Sequence, residues 1–179
     1  MSTRSTLNVF RRSRQRFSWV MALFLGFAGT GAISADSLQP VSLEGTTDLT
    51  LTMSSGHVIH TSIRQTNVGG ALPYKDALLW GGDMGHPPQT ALSAINVEDG
   101  GSQIPIPLSA YSDLGDVKWA SLKLTKNGYS LHLHGGETGT AYDAELSFAH
   151  GLLQTRVVRL REFPDQRWEK TGYSFTTGN

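Results

Sequence analysis

From Leu49 onward the apolar residues of this chain alternate with polar ones, and no stretch sustains a helical period over a full helix length. Leu49, Leu51 and Met53 alternate with Thr50 and Thr52. Ile59, Thr61 and Ile63 share one face of the next run, against His60, Ser62 and Arg64, and Ser54-Ser55-Gly56 separates the two. Successive side chains on a strand point to opposite faces, so this pattern predicts half-buried antiparallel strands. The 20 glycines fall mostly between such runs.

The strongest local signal is Lys126-Asn127-Gly128-Tyr129. An Asn-Gly turn accepts the positive φ angles of a type I′ hairpin. Folding there places Lys126 opposite Tyr129, Leu124 opposite Leu131 and Leu122 opposite Leu133. The reverse face then gathers Trp119, Ser121, Lys123, His132 and His134. A second hairpin turning at His150-Gly151 sets Phe148 against Leu153, Leu146 against Thr155 and Ala144 against Val157, with Glu145 meeting Arg156 as a cross-strand ion pair. Further strands are expected over Gln89–Val97 and Gln103–Leu108, joined by Glu98-Asp99-Gly100-Gly101. Pro105 and Pro107 place the second of these at a sheet edge, since proline cannot donate to a central ladder. A last strand spans Trp168 to Phe175. About eight or nine strands at this spacing predict an all-β fold, an antiparallel β-sandwich or an open barrel.

The first 35 residues read differently. Arg4, Arg11, Arg12, Arg14 and Arg16 precede the apolar run Trp19 to Ala28, and small residues follow up to Ala35. A basic start, about ten apolar residues and a small-residue exit describe a secretory signal peptide, with the cut expected after Ala35. The alternative is an uncleaved inner-membrane anchor, because Phe17 to Ala35 approaches the ~17–25 residues that span a bilayer. Arg11-Arg12 also raises the twin-arginine route, although Ser13, Arg14, Gln15 and Arg16 stand where apolar residues should follow. Residues 36–179 are expected to form a single antiparallel β domain in the periplasm or outside the cell. A domain near that size hides about 68–70% of its unfolded surface, enough for a core without staples.

Charge and composition narrow the function classes. The chain has 15 basic and 15 acidic residues. Without the five leader arginines the remainder is 10 against 15, a net of about −5. Phosphate recognition needs clustered Lys and Arg, so neither nucleic acid nor, after leader removal, an anionic membrane is an expected partner. There is no cysteine, which excludes disulfides, thiolate metal sites and a cysteine nucleophile.

His132 and His134 lie two apart, so both imidazoles leave one strand face and could grip a divalent metal with Glu137 just beyond. His-x-His followed by Glu resembles the metal motif of the cupins over these few residues. Gly128 and Glu137 do not fall at that motif's spacings, and no second motif supplies a third histidine, so the chain is not assigned to that family. The competing reading is two histidines on a solvated sheet face. His57 and His60 point to opposite faces; His60 alone could join the first pair if their strands are neighbours.

The loop Leu79 to Pro88 is the most irregular segment, with three glycines and two prolines. Its Trp80, Asp83 and His86, with Trp119 on the sheet face, form the candidate ligand-binding set. The competing reading there is a structural crossover with Trp80 in the core. Tyr111-Ser112-Asp113-Leu114-Gly115-Asp116 carries two carboxylates but lacks the alternating oxygens of a calcium loop, and reads as a turn. No Gly-x-Ser-x-Gly, Ser-x-x-Lys, His-Glu-x-x-His or phosphate-loop motif occurs. The expectation is a non-catalytic exported binding or interaction protein, whose partner is a periplasmic or extracellular protein or a small ligand. The alternatives are a metal-dependent enzyme built on His132 and His134, and an acidic inhibitor or immunity-type protein.

Overall fold

The computed structural model describes residues 37–68, 79–82, 86–166 and 168–176. Asp83 and the expected leader, residues 1–35, lie outside them. The alternation of the sequence becomes ten strands: β1 (Gln39–Pro40), β2 (Gly45–Thr52), β3 (Val58–Asn67), β4 (Thr90–Asp99), β5 (Ser102–Ile104), β6 (Val117–Thr125), β7 (Gly128–Gly135), β8 (Tyr142–Ala149), β9 (Leu152–Leu160) and β10 (Glu169–Gly172). One short 3₁₀ turn, Leu108–Ala110, interrupts them. The strands divide into two antiparallel sheets, ordered β1-β6-β7-β8-β9-β10 and β2-β3-β4-β5.

The inward faces are the apolar sets that period two selects. Leu49, Leu51, Ile59, Ile63 and Val97 of the smaller sheet share one buried cluster with Leu122, Leu131, Leu133, Leu146 and Phe148 of the larger. Burying each such side chain contributes about 1.5–3 kcal/mol. β5 is the edge of its sheet, as Pro105 and Pro107 predict, but it ends at Ile104 and does not run on to Leu108, where a 3₁₀ turn begins, because proline cannot donate to the ladder.

Two registers differ from the sequence expectation. In the β6–β7 hairpin Thr125 pairs with Gly128, Leu124 with Tyr129, Leu122 with Leu131 and Ala120 with Leu133. The turn is therefore Lys126-Asn127, one residue earlier than expected, and the pairing shifts by two. A two-residue shift preserves parity, so the faces are as expected while the partners are not. Gly128 is not among the positive-φ glycines. It is glycine because a Cβ there would fall against the Phe148 carbonyl oxygen of β8. The left-handed pair sits instead at His150 (φ 54°) and Gly151 (φ 69°).

In the β8–β9 hairpin Phe148 does pair with Leu153, but a bulge at Gln154 moves every later partner by one. Leu146 faces Arg156 and Ala144 faces Val158. Glu145 therefore faces Val157, and its carboxylate lies 3.7 Å from Arg159 instead of Arg156. Arg156 turns inward to 3% exposure.

A polar joint couples the sheets at one end. Gln65, 1% exposed, lies on β3 beside a bulge at Ser93 of β4. Its Nε2 donates to the carbonyls of Ser42 (3.0 Å) and Val117 (2.9 Å). Its Oε1 accepts from the Val117 N–H (3.0 Å) and faces the Thr90 hydroxyl at 3.1 Å. All four positions of the amide are used, which a buried Gln requires. Asp116, held at φ 47°, accepts the N–H groups of Gln89 (3.0 Å) and Thr90 (2.9 Å) through Oδ1. The joint fixes the end of the molecule where the irregular loop emerges.

Candidate functional site

The loop after Leu79 is pinned at its start. The Trp80 N–H donates to the Asp113 carbonyl (2.8 Å), and the Gly115 N–H donates to the Trp80 carbonyl (2.9 Å). The Trp80 indole is half-buried against the core, with its ring centroid 6.0 Å from that of Tyr142. Gly81 and Gly82 follow at φ 94° and 81°. A side chain at Gly81 would strike the Gly115 carbonyl, and one at Gly82 would meet the backbone of His86 to Pro88. Positive φ and close approach together leave only glycine at both positions. The Thr140 hydroxyl donates to the Gly82 carbonyl and ties the loop to the turn after β7.

Beyond this pin the loop forms one wall of an 830 Å³ cleft, with His86, Gln89 and Gly82 on that wall, Ser42 to Glu44 opposite, and Asp116, Lys118 and Glu137 at its floor and rim. His86 is exposed. A shallower depression of 250 Å³ adjoins it on the outer face of the larger sheet, holding Trp119, His134, Arg161 and again Lys118 and Glu137. The Lys118 ammonium lies 3.1 Å from the Glu137 carboxylate, so one ion pair forms the rim shared by both concavities. Local backbone explains the arrangement: Lys118 is the unpaired residue of a bulge between the Val117–Gly135 and Trp119–His134 pairs. The bulge brings Lys118 and Trp119, consecutive residues, both to the exposed side. Bulges commonly re-aim side chains in this way beside functional sites.

On the sheet face His132 and His134 project together, as the alternation demands. His134 Nδ1 lies 2.6 Å from Asp143 Oδ1, directly across the β7–β8 ladder, and Arg161 Nη2 reaches the same oxygen at 3.1 Å. The His134 hydrogen bond, followed by Arg161, holds the Asp143 carboxyl below its usual pKa against the opposing effect of burial. His132 Nε2 lies 2.8 Å from the Ser130 hydroxyl. Burial lowers the His132 pKa first, and Lys123 and His134 push the same way, while Glu145 and Asp143 oppose them. Neutral imidazole is thus favoured at His132.

The remaining candidates separate. Glu137 is engaged by Lys118, and among the described residues no three His, Asp or Glu side chains stand close enough to share a metal ion. His60 lies on β3 of the smaller sheet, 3.5 Å from the Thr50 hydroxyl, so it is not a strand neighbour of the β7 histidines. His57 contacts Asp99 at 3.2 Å. The carboxylates of the 111–116 segment point to different partners, Asp113 to Arg156 (2.7 Å) and Asp116 to the backbone of Gln89 and Thr90. Among the sequence candidates, His86, Trp119, His134 and Glu137 border the joined concavities, His132 lies beside them on the sheet, and Trp80 faces a separate groove.

Reading the sequence alone does not single out Lys118, Asp143 or Arg161. Asp143 becomes visible only once β8 is paired to β7 in register with His134. No long apolar helix able to cross a membrane occurs among the described residues. No protein-family model, curated protein or solved structure matches this chain.

Proposed function

We propose that this chain is an exported, non-catalytic binding module that engages a protein partner over the joined cleft and depression around Lys118 and Glu137. The observation that carries the reading is the continuity of the two concavities through one ion pair, on a frame already fixed by Gln65, Asp116 and the Gly81-Gly82 pin. A pre-formed concave surface with few ordering costs suits recognition. Its polar groups are complementary in kind, with Lys118 and Arg161 against Glu44, Asp116 and Glu137, and Trp119 at 45% exposure offers an aromatic anchor. The frame is read as a β-sandwich, since the two sheets have separate ladders and a common core. Export to the periplasm or the medium rests on the basic-then-apolar leader ending at Ala35.

Photo-crosslinking in the native host tests both parts. A crosslinking amino acid at Gln89 or Thr138, on the proposed surface, is expected to give a discrete higher-mass adduct in the periplasmic or secreted fraction. The same residue at Ser93, on the smaller sheet, is expected to give none. Mass spectrometry of the uncrosslinked band should find the chain starting at or near Asp36. Equal adducts at all three positions, or none at Gln89 and Thr138, would overturn the surface, and an intact Met1 on membranes would overturn export.

A further inference from the structure

On the other side of the Trp80 pin the loop borders a groove of 570 Å³ that plays no part in the surface above. Trp80, Leu160 and Trp168 form its apolar walls, and the carboxylates of Asp113 and Glu169 border it. Tryptophan occurs four times in the chain, and two of the four line this groove. Trp168 leaves 53% of its surface to solvent, although its N–H is fixed to the Val158 carbonyl at 3.1 Å. An indole held by its backbone and left open on a groove is suited to a ligand.

The charges decide which ligand. Arg156, 3% exposed, lies beneath the groove and reaches Asp113 Oδ2 at 2.7 Å and Glu169 Oε1 at 3.0 Å. Its Nη1 also donates to the Ser109 carbonyl at 3.1 Å. Among the described residues one guanidinium thus serves these two carboxylates, an excess of one negative charge within the triad. Among the described residues Asp113 Oδ1 has no hydrogen-bond partner. A residual negative charge between two indoles favours a cation on an apolar body, because indole faces attract cations as well as hydrocarbon. A neutral apolar molecule would gain only the contact area, and an anion would be repelled.

We infer that the Trp80–Trp168 groove binds an organic cation, an alkylammonium group carried either by a free small molecule or by a lysine side chain of another protein. The charge of residues 36–179, about −5, adds long-range attraction for the same class.

The test uses choline, its neutral isostere 3,3-dimethylbutan-1-ol and Nα-acetyl-lysine methylamide as probes, with binding to the mature protein followed by proton NMR of each probe. Choline or the lysine derivative is expected to bind saturably in the millimolar range, at least tenfold tighter than the neutral alcohol, and the tighter of the two cations identifies the source. Trp168→Ala is expected to weaken cation binding at least tenfold with the thermal midpoint nearly unchanged, because the indole is largely exposed. Glu169→Gln should weaken the cation severalfold and leave the alcohol unaffected, which separates lost charge from lost structure. Equal affinity for choline and the alcohol, or the absence of saturable binding by both cations, would overturn the inference.

Discussion

The two hairpins of the larger sheet each carry a bulge, and the two bulges aim a cation in opposite directions. In β6–β7 the extra residue is Lys118 itself, whose ammonium reaches the surface rim and Glu137. In β8–β9 the extra residue is Gln154, and the change of phase turns Arg156 into the interior, between Asp113 and Glu169. The same device therefore exposes a cation in one hairpin and buries one in the other. A surface pair of long side chains contributes little to stability, typically ~0.2–1 kcal/mol. Removing one partner of a buried pair costs about 3–5 kcal/mol, since the charge left behind is uncompensated. The comparison thus separates a buried cation on which the fold depends from an exposed one on which it hardly does.

The largest test of this contrast is Arg156→Ala. Asp113 and Glu169 keep about a third of their surface, so water will relieve part of the loss. A destabilisation of about 3 kcal/mol is expected in urea unfolding, whereas Lys118→Ala should change stability by less than about 0.5 kcal/mol. Equal effects of the two substitutions would erase the distinction.

The β6–β7 turn gives a smaller and sharper test. If Gly128 were a left-handed turn residue, Asn would replace it cheaply, because Asn tolerates that conformation. Since the obstacle is the Phe148 carbonyl, Gly128→Asn and Gly128→Ala should both lose about 1–3 kcal/mol, the usual cost of overpacking. A near-neutral Gly128→Asn would restore the expected Asn127-Gly128 turn.

The smallest effect lies on the sheet face between the hairpins. A histidine with a lowered folded pKa binds protons more weakly when folded than when unfolded, so stability falls as pH drops below the unfolded value of 6.5. The lowered Asp143 carboxyl adds a second loss, which begins as pH falls toward its unfolded value of 3.8 and is complete below its folded pKa. Melting scans should show a modest decline from pH 7 to pH 5 that His132→Gln reduces. A decline of the same size in that variant would assign the pH response to other groups.

These contrasts also show what the sequence could convey. Alternation revealed the faces of Leu122, Leu124, Leu131 and Leu133, because parity survives a two-residue shift. It could not reveal pairing partners, since the Asn127-Gly128 signal is satisfied equally by a turn one residue earlier and a glycine pressed against β8. Bulges were invisible for a related reason. An extra residue is defined by the partner strand, so neither Lys118 nor Gln154 looks irregular in its own segment. The Trp80 loop was recognisable by its glycines and prolines, yet its division into a cleft and a groove depends on Thr140 and Gly115, distant in sequence. Arg156 was expected opposite Glu145 as a cross-strand pair, and the bulge at Gln154 explains why it instead shares the buried face of Leu146.

The central claim, that the Lys118 bulge aims a cation at a partner, is tested most directly by charge reversal at that residue. Lys118→Glu places two carboxylates at the shared rim while leaving Gln65, Asp116 and the core untouched. With the crosslinking residue at Gln89, the adduct seen in otherwise unchanged protein is expected to fall at least tenfold in Lys118→Glu, at an unaltered melting temperature. An undiminished adduct in the reversed variant would contradict the account.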